Sequence, residues 1–565
     1  SLLISAAQGF LKLAQPGTDN DSVMRLVQVR DLIAGQGWLD LHQYRMGLDG
    51  GFLMHWSRLV DAPIAAIMVL LRPFVGPARA ELAAQFAWPA LLMGLSIWLL
   101  LRAARHFGGE AARFPALVLG AAALHFLYIF EPGSLDHHNL QLALVLAMAA
   151  GLLSGGVVPG LAAGVAAAAS IAIGMETMPY VAAAGAVAAL LFWLRGEDEL
   201  PATAGFGFGM ALGASVLLLF TVRPSQWSEA ACDAYSGGQA GSAILAGLGL
   251  AALAHIFGQS ARVRRLAALL VLGIVSIGYV LLVYPQCLAE PYGALPPALR
   301  RFWLDRVSEA QSLASLAVND PGSAALYYVT PLIALALMVA RVARNRAGRG
   351  EILLLPLLAA AFVVSVWQVR GAIFSTALAV LPLAAWVGTV RAEHMGRPSN
   401  AGSLRLIGAW LVSFNVVWAL AVGQAAALVQ AKPQSSASNE CEAAADFASL
   451  AALPPGTVLA ISNVGAAILA FTDHRALSGP YHRNIAGNEA ALNAMIGTPE
   501  AALDVVRHAK ADYVAVCPGN PETEMLAERA PHGLLARLLA GETPAWLAPV
   551  GQTSDSNMIV YRVAR

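Results

Sequence analysis

The chain has 565 residues, of which 58% are hydrophobic and only 12% are charged. Its 35 basic and 35 acidic side chains cancel at pH 7, and its mean hydropathy is +0.63. This composition excludes an ordinary water-soluble globular protein, and the lack of a basic tract excludes nucleic acid as a partner. We therefore expect a polytopic α-helical membrane protein that is surrounded by membrane lipids.

Apolar stretches recur along the first three quarters of the chain, and a bilayer span needs roughly 20 mostly apolar residues. The predicted spans are 82–104, 114–130, 140–155, 158–175, 178–195, 203–222, 241–258, 266–284, 323–340, 351–366, 371–390 and 404–429. Residues 1–14 are interpreted as the outer end of a further helix, with a cleaved signal peptide as the alternative. The expected total is about twelve or thirteen transmembrane helices.

Arginine placement predicts the orientation, because short cytoplasmic loops retain Lys and Arg. If residues 1–14 count as the first span, arginines follow nearly every even-numbered span. The other loops and the tail then lie outside, which in a bacterial inner membrane is the periplasmic face. Two outside loops, 15–60 and 285–322, are too long for simple turns, and such loops are usually functional.

The character of the chain changes after residue 429, where a polar linker with Pro and Ser begins at Lys432. Beyond it, the pattern predicts strands and two helices. The strands are expected at 457–462, 466–472, 513–517 and 558–563, and the helices at 486–496 and 499–509. The sequence thus predicts a transmembrane domain over 1–430 and a small periplasmic α/β domain over 431–565.

All four cysteines fall outside on this map: Cys232, Cys287, Cys441 and Cys517. An oxidising compartment permits disulfides there. Pairing Cys232 with Cys287 and Cys441 with Cys517 is the simplest hypothesis. Four reduced thiols stay open as an alternative, since four cysteines allow three pairings and the sequence does not choose.

An acidic motif lies in the first outside loop. Asn20 and Asp21 are followed about ten residues later by Arg30 and Asp31, and then by Gly35. This arrangement resembles the first motif of the oligosaccharyltransferase catalytic subunits, a family with the GT-C glycosyltransferase fold. The resemblance implies a GT-C fold here and a role for Asp21 in metal binding and catalysis. The simpler interpretation is a helix N-cap with a solvated face.

A second motif lies between the third and fourth spans, where Asp136, His137 and His138 are consecutive. It resembles the Asp-His-His form of the family's second motif in archaeal members. The resemblance implies that Asp136 and His138, but not His137, are metal ligands. Oxygen donors with one nitrogen suit Mg²⁺ or Mn²⁺. A polar interfacial loop is the alternative.

The third and fourth motifs lie farther along. The segment RVSEAQ, 306–311, resembles the family's Ser-Val-Ser-Glu-His-Gln motif with Ala310 in place of His. It implies that Glu309 orients the acceptor or completes the metal shell. Arg370 stands where the family contacts the lipid-linked phosphate, and a guanidinium can bind two phosphate oxygens at once. An ordinary exposed helix for the first and a snorkelling arginine for the second remain alternatives.

One family element is missing, because the C-terminal part has no Trp-Trp-Asp-Tyr-Gly motif for reading an Asn-x-Ser/Thr acceptor. A polar aromatic loop at 479–484 could occupy similar space, with Tyr481, His482 and Arg483 as possible substrate contacts. Further possible contacts are Glu176, at the edge of a span, and His55. Trp56 is expected in the interfacial aromatic belt. Transfer to asparagine is therefore not implied.

Together these residues predict a metal-dependent, inverting glycosyltransferase. It would move a sugar or oligosaccharide from a polyprenyl-phosphate or polyprenyl-diphosphate carrier to a lipid, glycan or protein acceptor. Asp21 would be the general base and, with Asp136, His138 and Glu309, a metal ligand. The alternative is a lipid-linked glycan transporter or ligase-like protein without metal chemistry, which has no need for several acids on one face. A structural membrane subunit is a third possibility.

Overall fold

Long apolar helices dominate the computed structural model, which describes residues 19–289, 292–293, 295–429, 441, 443–551 and 556–564. The predicted helical end at 1–14 and the linker that begins at Lys432 lie outside these described residues. Before the first predicted span, the chain forms a helix, a two-stranded hairpin and a second helix. These elements are α1 (Asn20–Ile33), β1 (His42–Gln43), β2 (Phe52–Leu53) and α2 (Arg58–Val75).

The apolar segments then form the body of the molecule. Its helices are α3 (Pro77–Gly108), α4 (Arg113–His125), α5 (His138–Ser154), α6 (Val157–Ile173), α7 (Met178–Arg195), α8 (Leu200–Thr221), α9 (Gly237–Phe257), α10 (Arg262–Val283), α11 (Pro297–Phe302), α12 (Leu313–Asn319), α13 (Pro321–Ala343), α14 (Arg349–Trp367), α15 (Ala372–Gly396), α16 (Asn400–Ser413) and α17 (Asn415–Val429). Every predicted span coincides with one of these helices or, for 404–429, with the pair α16 and α17.

Fewer helices of the structure are long and apolar enough to cross a membrane than the sequence predicted. In the described part, seven helices are long and apolar enough to cross a membrane, or eight if the pair α16–α17, bent by 76°, is one span. The count is lower because α4, α5 and α6 have only 13 to 17 residues. In addition, α7 and α8 are joined by a short turn over Gly196–Glu199, so that the 47-residue segment Met175–Thr221 counts once.

The C-terminal part forms a small mixed sheet covered by short helices. Its elements are α18 (Ala448–Ala451), β3 (Thr457–Leu459), α19 (Gly465–Phe471), β4 (Arg475–Ala476), α20 (Ile485–Ile496), α21 (Pro499–His508), β5 (Tyr513–Val516), α22 (Pro521–Arg529), α23 (Leu534–Leu539), β6 (Leu547–Pro549) and β7 (Ile559–Val563). The strand order is β4-β3-β5-β7-β6. β3 runs parallel to β4 and β5, whereas β7 is antiparallel to β5 and β6.

Two secondary-structure predictions need correction. The predicted strand 466–472 is the helix α19, whose residues are almost all buried. A short, wholly apolar run has no periodicity that separates a buried strand from a buried helix. The helix α2 was not predicted, since Arg58, Asp61 and Arg72 and two prolines interrupt its apolar pattern.

The sheet region is packed against the first loop of the chain. Val23, Met24 and Trp56 share one buried hydrophobic cluster with Val458 and Val514 of the sheet. Met46 also forms an isolated parallel β-bridge with Ala476 of β4. The segment that carries the first acidic motif is therefore held between the membrane helices and the sheet.

Both predicted disulfides are confirmed. Cys232 and Cys287 join the loop after α8 to the segment after α10, with Cα atoms 5.1 Å apart. Cys441 and Cys517 close the sheet region, with Cα atoms 6.2 Å apart.

Candidate active site

The first motif forms the N-terminus of α1. Asp19 is the N-cap, and its carboxylate accepts hydrogen bonds from the Ser22 backbone N–H at 2.6 Å and the Ser22 hydroxyl at 3.0 Å. The N-cap interpretation therefore holds for Asp19, which the sequence did not single out although it stands two residues before Asp21. Asp21 lies in the first turn of α1.

Ser22 joins the first motif to the second. Its Oγ accepts hydrogen bonds from the backbone N–H groups of Leu135, at 3.0 Å, and Asp136, at 3.2 Å. Burial raises the pKa of Asp21 well above its usual range, and the nearby carboxylates of Asp136 and Glu309 raise it further. The acids of three separate motifs are thus close enough to repel one another.

The second motif ends at the first residue of α5. Asp136 contacts both imidazoles, with His138 Nδ1 beside its Oδ2 and His137 Nδ1 2.5 Å from its Oδ1. Burial alone would raise the pKa of Asp136, but His137 and His138 hold it well below the usual range. Asp136 is therefore an ionised carboxylate fixed between two imidazoles.

Glu176 is held behind this motif. His137 Nε2 lies 2.5 Å from Glu176 Oε1, which also accepts a hydrogen bond from Gln141 at 3.0 Å. His137 therefore bridges Asp136 and Glu176. Since Glu176 is engaged by protein groups, it orients His137 in this structure.

One cavity of about 440 Å³ brings four of the predicted site residues together, while Asp21 is not among the residues that line it. The cavity wall includes Asp136, His138, Glu309 and Arg370, and also Asp19. The backbone N–H of Val369 donates to the Gln311 carbonyl at 2.9 Å, so the segments of Glu309 and Arg370 are joined directly. Arg370 Nε donates to Gln368 Oε1 at 2.8 Å, and its guanidinium is hydrogen-bonded to Tyr292.

The remaining candidates lie elsewhere. Tyr481 is only 2% exposed, and its hydroxyl donates to the Asn20 carbonyl at 3.0 Å. His55 and Arg483 line a second cavity of about 200 Å³, and His482 contacts Asp233. In this structure Tyr481 supports the N-terminus of α1 rather than lining the first cavity.

Trp56 corrects another expectation. It is 4% exposed and lies inside the molecule, not in an interfacial belt. The Arg25 guanidinium stacks on it at 4.5 Å, and the rings of Tyr481 and His137 lie 5.5 and 5.9 Å away. No local sequence signal distinguishes a buried Trp of this kind from one at the membrane surface, since both are amphipathic rings near a helix end.

The donor set fits a divalent cation. Side-chain donor atoms of Asp136, His137 and His138 lie within 4.8 Å of one another. His137 is engaged by Glu176, which leaves Asp136 and His138 facing the cavity that Glu309 also lines. A bound cation would relieve the repulsion between the acids. The site offers hard oxygen donors and a single nitrogen, which are donors that Mg²⁺ and Mn²⁺ accept.

Solved structures of an archaeal oligosaccharyltransferase share this fold. Archaeoglobus fulgidus AglB in complex with an inhibitory peptide and a dolichol-phosphate superposes with a TM-score of 0.67 at 13% identity, covering 95% of this chain and 69% of that one. The apo form of the Archaeoglobus fulgidus oligosaccharyltransferase gives 0.65 at 14% identity, covering 89% and 66%. Its complex with Zn and sulfate gives 0.58 at 15% identity, covering 100% and 73%.

At these identities the similarity establishes the fold. The chain is a multi-pass membrane protein with the GT-C architecture and a small C-terminal sheet region, as the sequence predicted. No protein-family model matches the sequence, and no curated protein matches it significantly.

Proposed function

We propose that the chain is a metal-dependent, inverting glycosyltransferase. It moves a sugar or oligosaccharide from a polyprenyl-phosphate or polyprenyl-diphosphate carrier to an acceptor at the periplasmic face of a bacterial inner membrane. The observation that carries the proposal is the single cavity in which Asp136, His138, Glu309 and Arg370 converge. The fold supports it, because a protein of the same architecture has been solved with a dolichol-phosphate.

Asp136 and His138, with oxygens of Asp21 and Glu309, would hold Mg²⁺ or Mn²⁺. The bound cation supplies Lewis-acid neutralisation of the leaving phosphate. Arg370 adds a permanent positive charge on the same cavity, where its guanidinium binds phosphate oxygens. A transporter without metal chemistry has no use for this set of acids.

Asp21 is the proposed general base. Its carboxylate stands in the first turn of α1, close enough to Asp136 and Glu309 for these acids to act on it. Asp19 is the weaker candidate, since its oxygens are hydrogen-bonded to Ser22. Asp21 takes the proton of the acceptor hydroxyl while the acceptor oxygen bonds to the anomeric carbon. The bond from that carbon to the phosphate oxygen breaks, and the phosphate leaves with the electron pair.

The experiment is transfer of a labelled sugar from the lipid carrier in membranes that contain the protein. We expect Asp136→Asn to abolish transfer, EDTA to abolish it in the wild type, and Mn²⁺ to restore it. The matched control is Asp31→Asn, which removes a carboxylate in the last turn of α1 that accepts a hydrogen bond from Gln43 at 3.2 Å. Full transfer by Asp136→Asn, or indifference to EDTA, would rule out the proposed chemistry and favour transport.

The acceptor is tested separately. A strain without this chain should lose one modified class among its envelope glycans, lipids or proteins, and mass spectrometry of the three fractions identifies it. If all three fractions match those of the parent strain, the proposed cellular role is wrong.

A further inference from the structure

A second cluster of potential metal ligands lies outside the cavity described above. His55 stands between β2 and α2, Asp233 between α8 and α9, and His482 between β4 and α20. One side-chain donor atom from each lies within 4.8 Å of the other two. Three segments far apart in the chain thus place two imidazoles and one carboxylate at one point.

The contacts within the cluster are close. His482 Nε2 lies 2.7 Å from Asp233 Oδ2, and the rings of His55 and His482 have centroids 4.5 Å apart. The Nδ1 atom of His55 is buried and has no hydrogen-bond partner among the described residues. A buried polar atom left in this way costs free energy unless something binds it.

Arg483 holds the carboxylate from outside. Its Nε donates to Asp233 Oδ2 at 2.8 Å, and its Nη2 donates to Oδ1 at 2.7 Å. A carboxylate has about four lone-pair sites, so both oxygens keep acceptor capacity beyond these bonds. Hydrogen bonds of this kind orient carboxylates that bind metals.

A disulfide and an aromatic contact hold the segments that carry Asp233 and His482. Asp233 follows Cys232, which is bonded to Cys287. Tyr292, five residues after Cys287, packs edge-on against His482 with ring centroids 5.4 Å apart. The disulfide and this ring contact therefore hold the segments of Asp233 and His482 near each other, which favours a preformed site.

We propose that His55, Asp233 and His482 form a second cation site of the zinc type. Two imidazole nitrogens and one carboxylate oxygen are a ligand set that Zn²⁺ accepts, with a fourth position for water or another ligand. Mg²⁺ prefers oxygen donors and suits this site poorly. The bound ion fastens the C-terminal sheet region, through His482, to the loops of the membrane part.

The test is zinc binding by the full chain, purified in detergent without a histidine tag and stripped with EDTA. Asp136→Asn and His138→Asn are introduced first, so that the other cation site is silent. We expect this protein to bind one equivalent of ZnCl2 and to unfold at a higher temperature with zinc, but not with MgCl2. His482→Gln should weaken zinc binding by at least about 100-fold, since loss of an outer partner already costs 10- to 100-fold.

His42→Gln is the matched control, because His42 lines the same second cavity but is not in the cluster. It should leave zinc binding unchanged. If His482→Gln does not fold, His55→Gln decides the question, since His55 makes no ion pair with Asp233. The proposal is wrong if the background protein binds no zinc, or if His55→Gln and His42→Gln bind it equally. Because the background protein lacks Asp136 and His138, and zinc binding and unfolding are measured without substrate, neither result depends on sugar transfer.

Discussion

Two groups of charged side chains begin one helical turn apart on α1, one fully buried and the other partly exposed, and they differ in how their charges are paired. Arg25 Nη1 lies 2.8 Å from Asp61 Oδ1, and Arg58 Nη1 lies 2.9 Å from Asp61 Oδ2, with all three side chains at most 2% exposed. One turn earlier, Asp21 lies near Asp136 and Glu309, which raise its pKa. The paired charges stabilise the fold, whereas the unmatched acids destabilise it and are suited to a cation.

Trp56 lies between these two groups. It stacks under the Arg25 guanidinium at 4.5 Å, and its ring is 5.9 Å from that of His137 in the second motif. A cation over an aromatic face gains about 0.5–2 kcal/mol. The Trp56 ring therefore lies between Arg25 of the paired charges and His137 of the second motif.

The largest expected effect concerns the paired charges. Asp61→Asn leaves two buried guanidinium groups without a carboxylate, and removing one partner of a buried pair costs about 3–5 kcal/mol. We expect a large drop in the midpoint of thermal unfolding in detergent and a low yield from membranes. The control is Glu81→Gln, which breaks the partly exposed pair with Arg30 and should cost about 1 kcal/mol or less. Equal losses in the two variants would contradict the comparison.

The second effect concerns the unmatched acids. Asp21→Asn should lower sugar transfer by about 10²- to 10⁴-fold, as expected for loss of a general base. Its unfolding midpoint should equal or exceed that of the wild type, because the substitution removes a charge that neighbouring acids repel. Transfer assays and thermal unfolding of the same preparation check both statements. If Asp21→Asn instead unfolds at a lower temperature than the wild type, Asp21 stabilises the fold in the way that Asp61 does.

A smaller effect is expected at Tyr481, where the hydroxyl supports α1 through Asn20. Tyr481→Phe should cost about 0.5–1.5 kcal/mol, the usual net worth of a hydrogen bond. Because α1 carries Asp21, kcat should fall by up to about tenfold with little change in KM. Tyr513→Phe is the matched control, since its hydroxyl donates to the Pro454 carbonyl at 2.9 Å. It should lose similar stability and keep its activity; a fall in kcat for both variants would argue against a positioning role.

The smallest effect is a pH dependence in EDTA. A folded-state pKa raised above the usual value of about 3.9 means that the folded protein binds the Asp21 proton more tightly than the unfolded chain. The stability contributed by Asp21 therefore falls as pH rises from about 4 through its folded pKa. Unfolding midpoints of wild type and Asp21→Asn should agree at acid pH and diverge, with the variant higher, towards pH 8. A constant difference would contradict the assigned repulsion.

Much of the architecture could be predicted from local pattern. Apolar stretches from 82–104 to 404–429 coincide with helices. Lipid offers no hydrogen-bond partners, so the backbone N–H and C=O groups of each stretch must bond to one another, as they do in a helix. The placement of all four cysteines on one face permitted disulfides, and the simplest of the three pairings, Cys232–Cys287 with Cys441–Cys517, is the one in the structure. Asp136, His138 and Arg370, which the motifs singled out, line one cavity.

Other features could not be predicted, because local pattern does not report contacts between distant segments. No sequence motif marks Asp233, yet it contacts His482 and Arg483, about 250 residues later in the chain. Tyr481 was expected at a substrate and lies buried beneath α1. The run at 466–472 forms a helix because it packs within the sheet region, where burial overrides a weak local preference.

The amino-acid sequence alone determined that this chain has repeated apolar helices and carries acids, an imidazole and an arginine in segments that resemble the motifs of a known enzyme family. It did so because hydropathy and short motifs are local properties. Only the tertiary structure decided which acids are unmatched, that Ser22 joins two motifs, and that His55, Asp233 and His482 meet. Those outcomes depend on how the helices and the sheet pack, which brings side chains from distant segments within hydrogen-bonding distance.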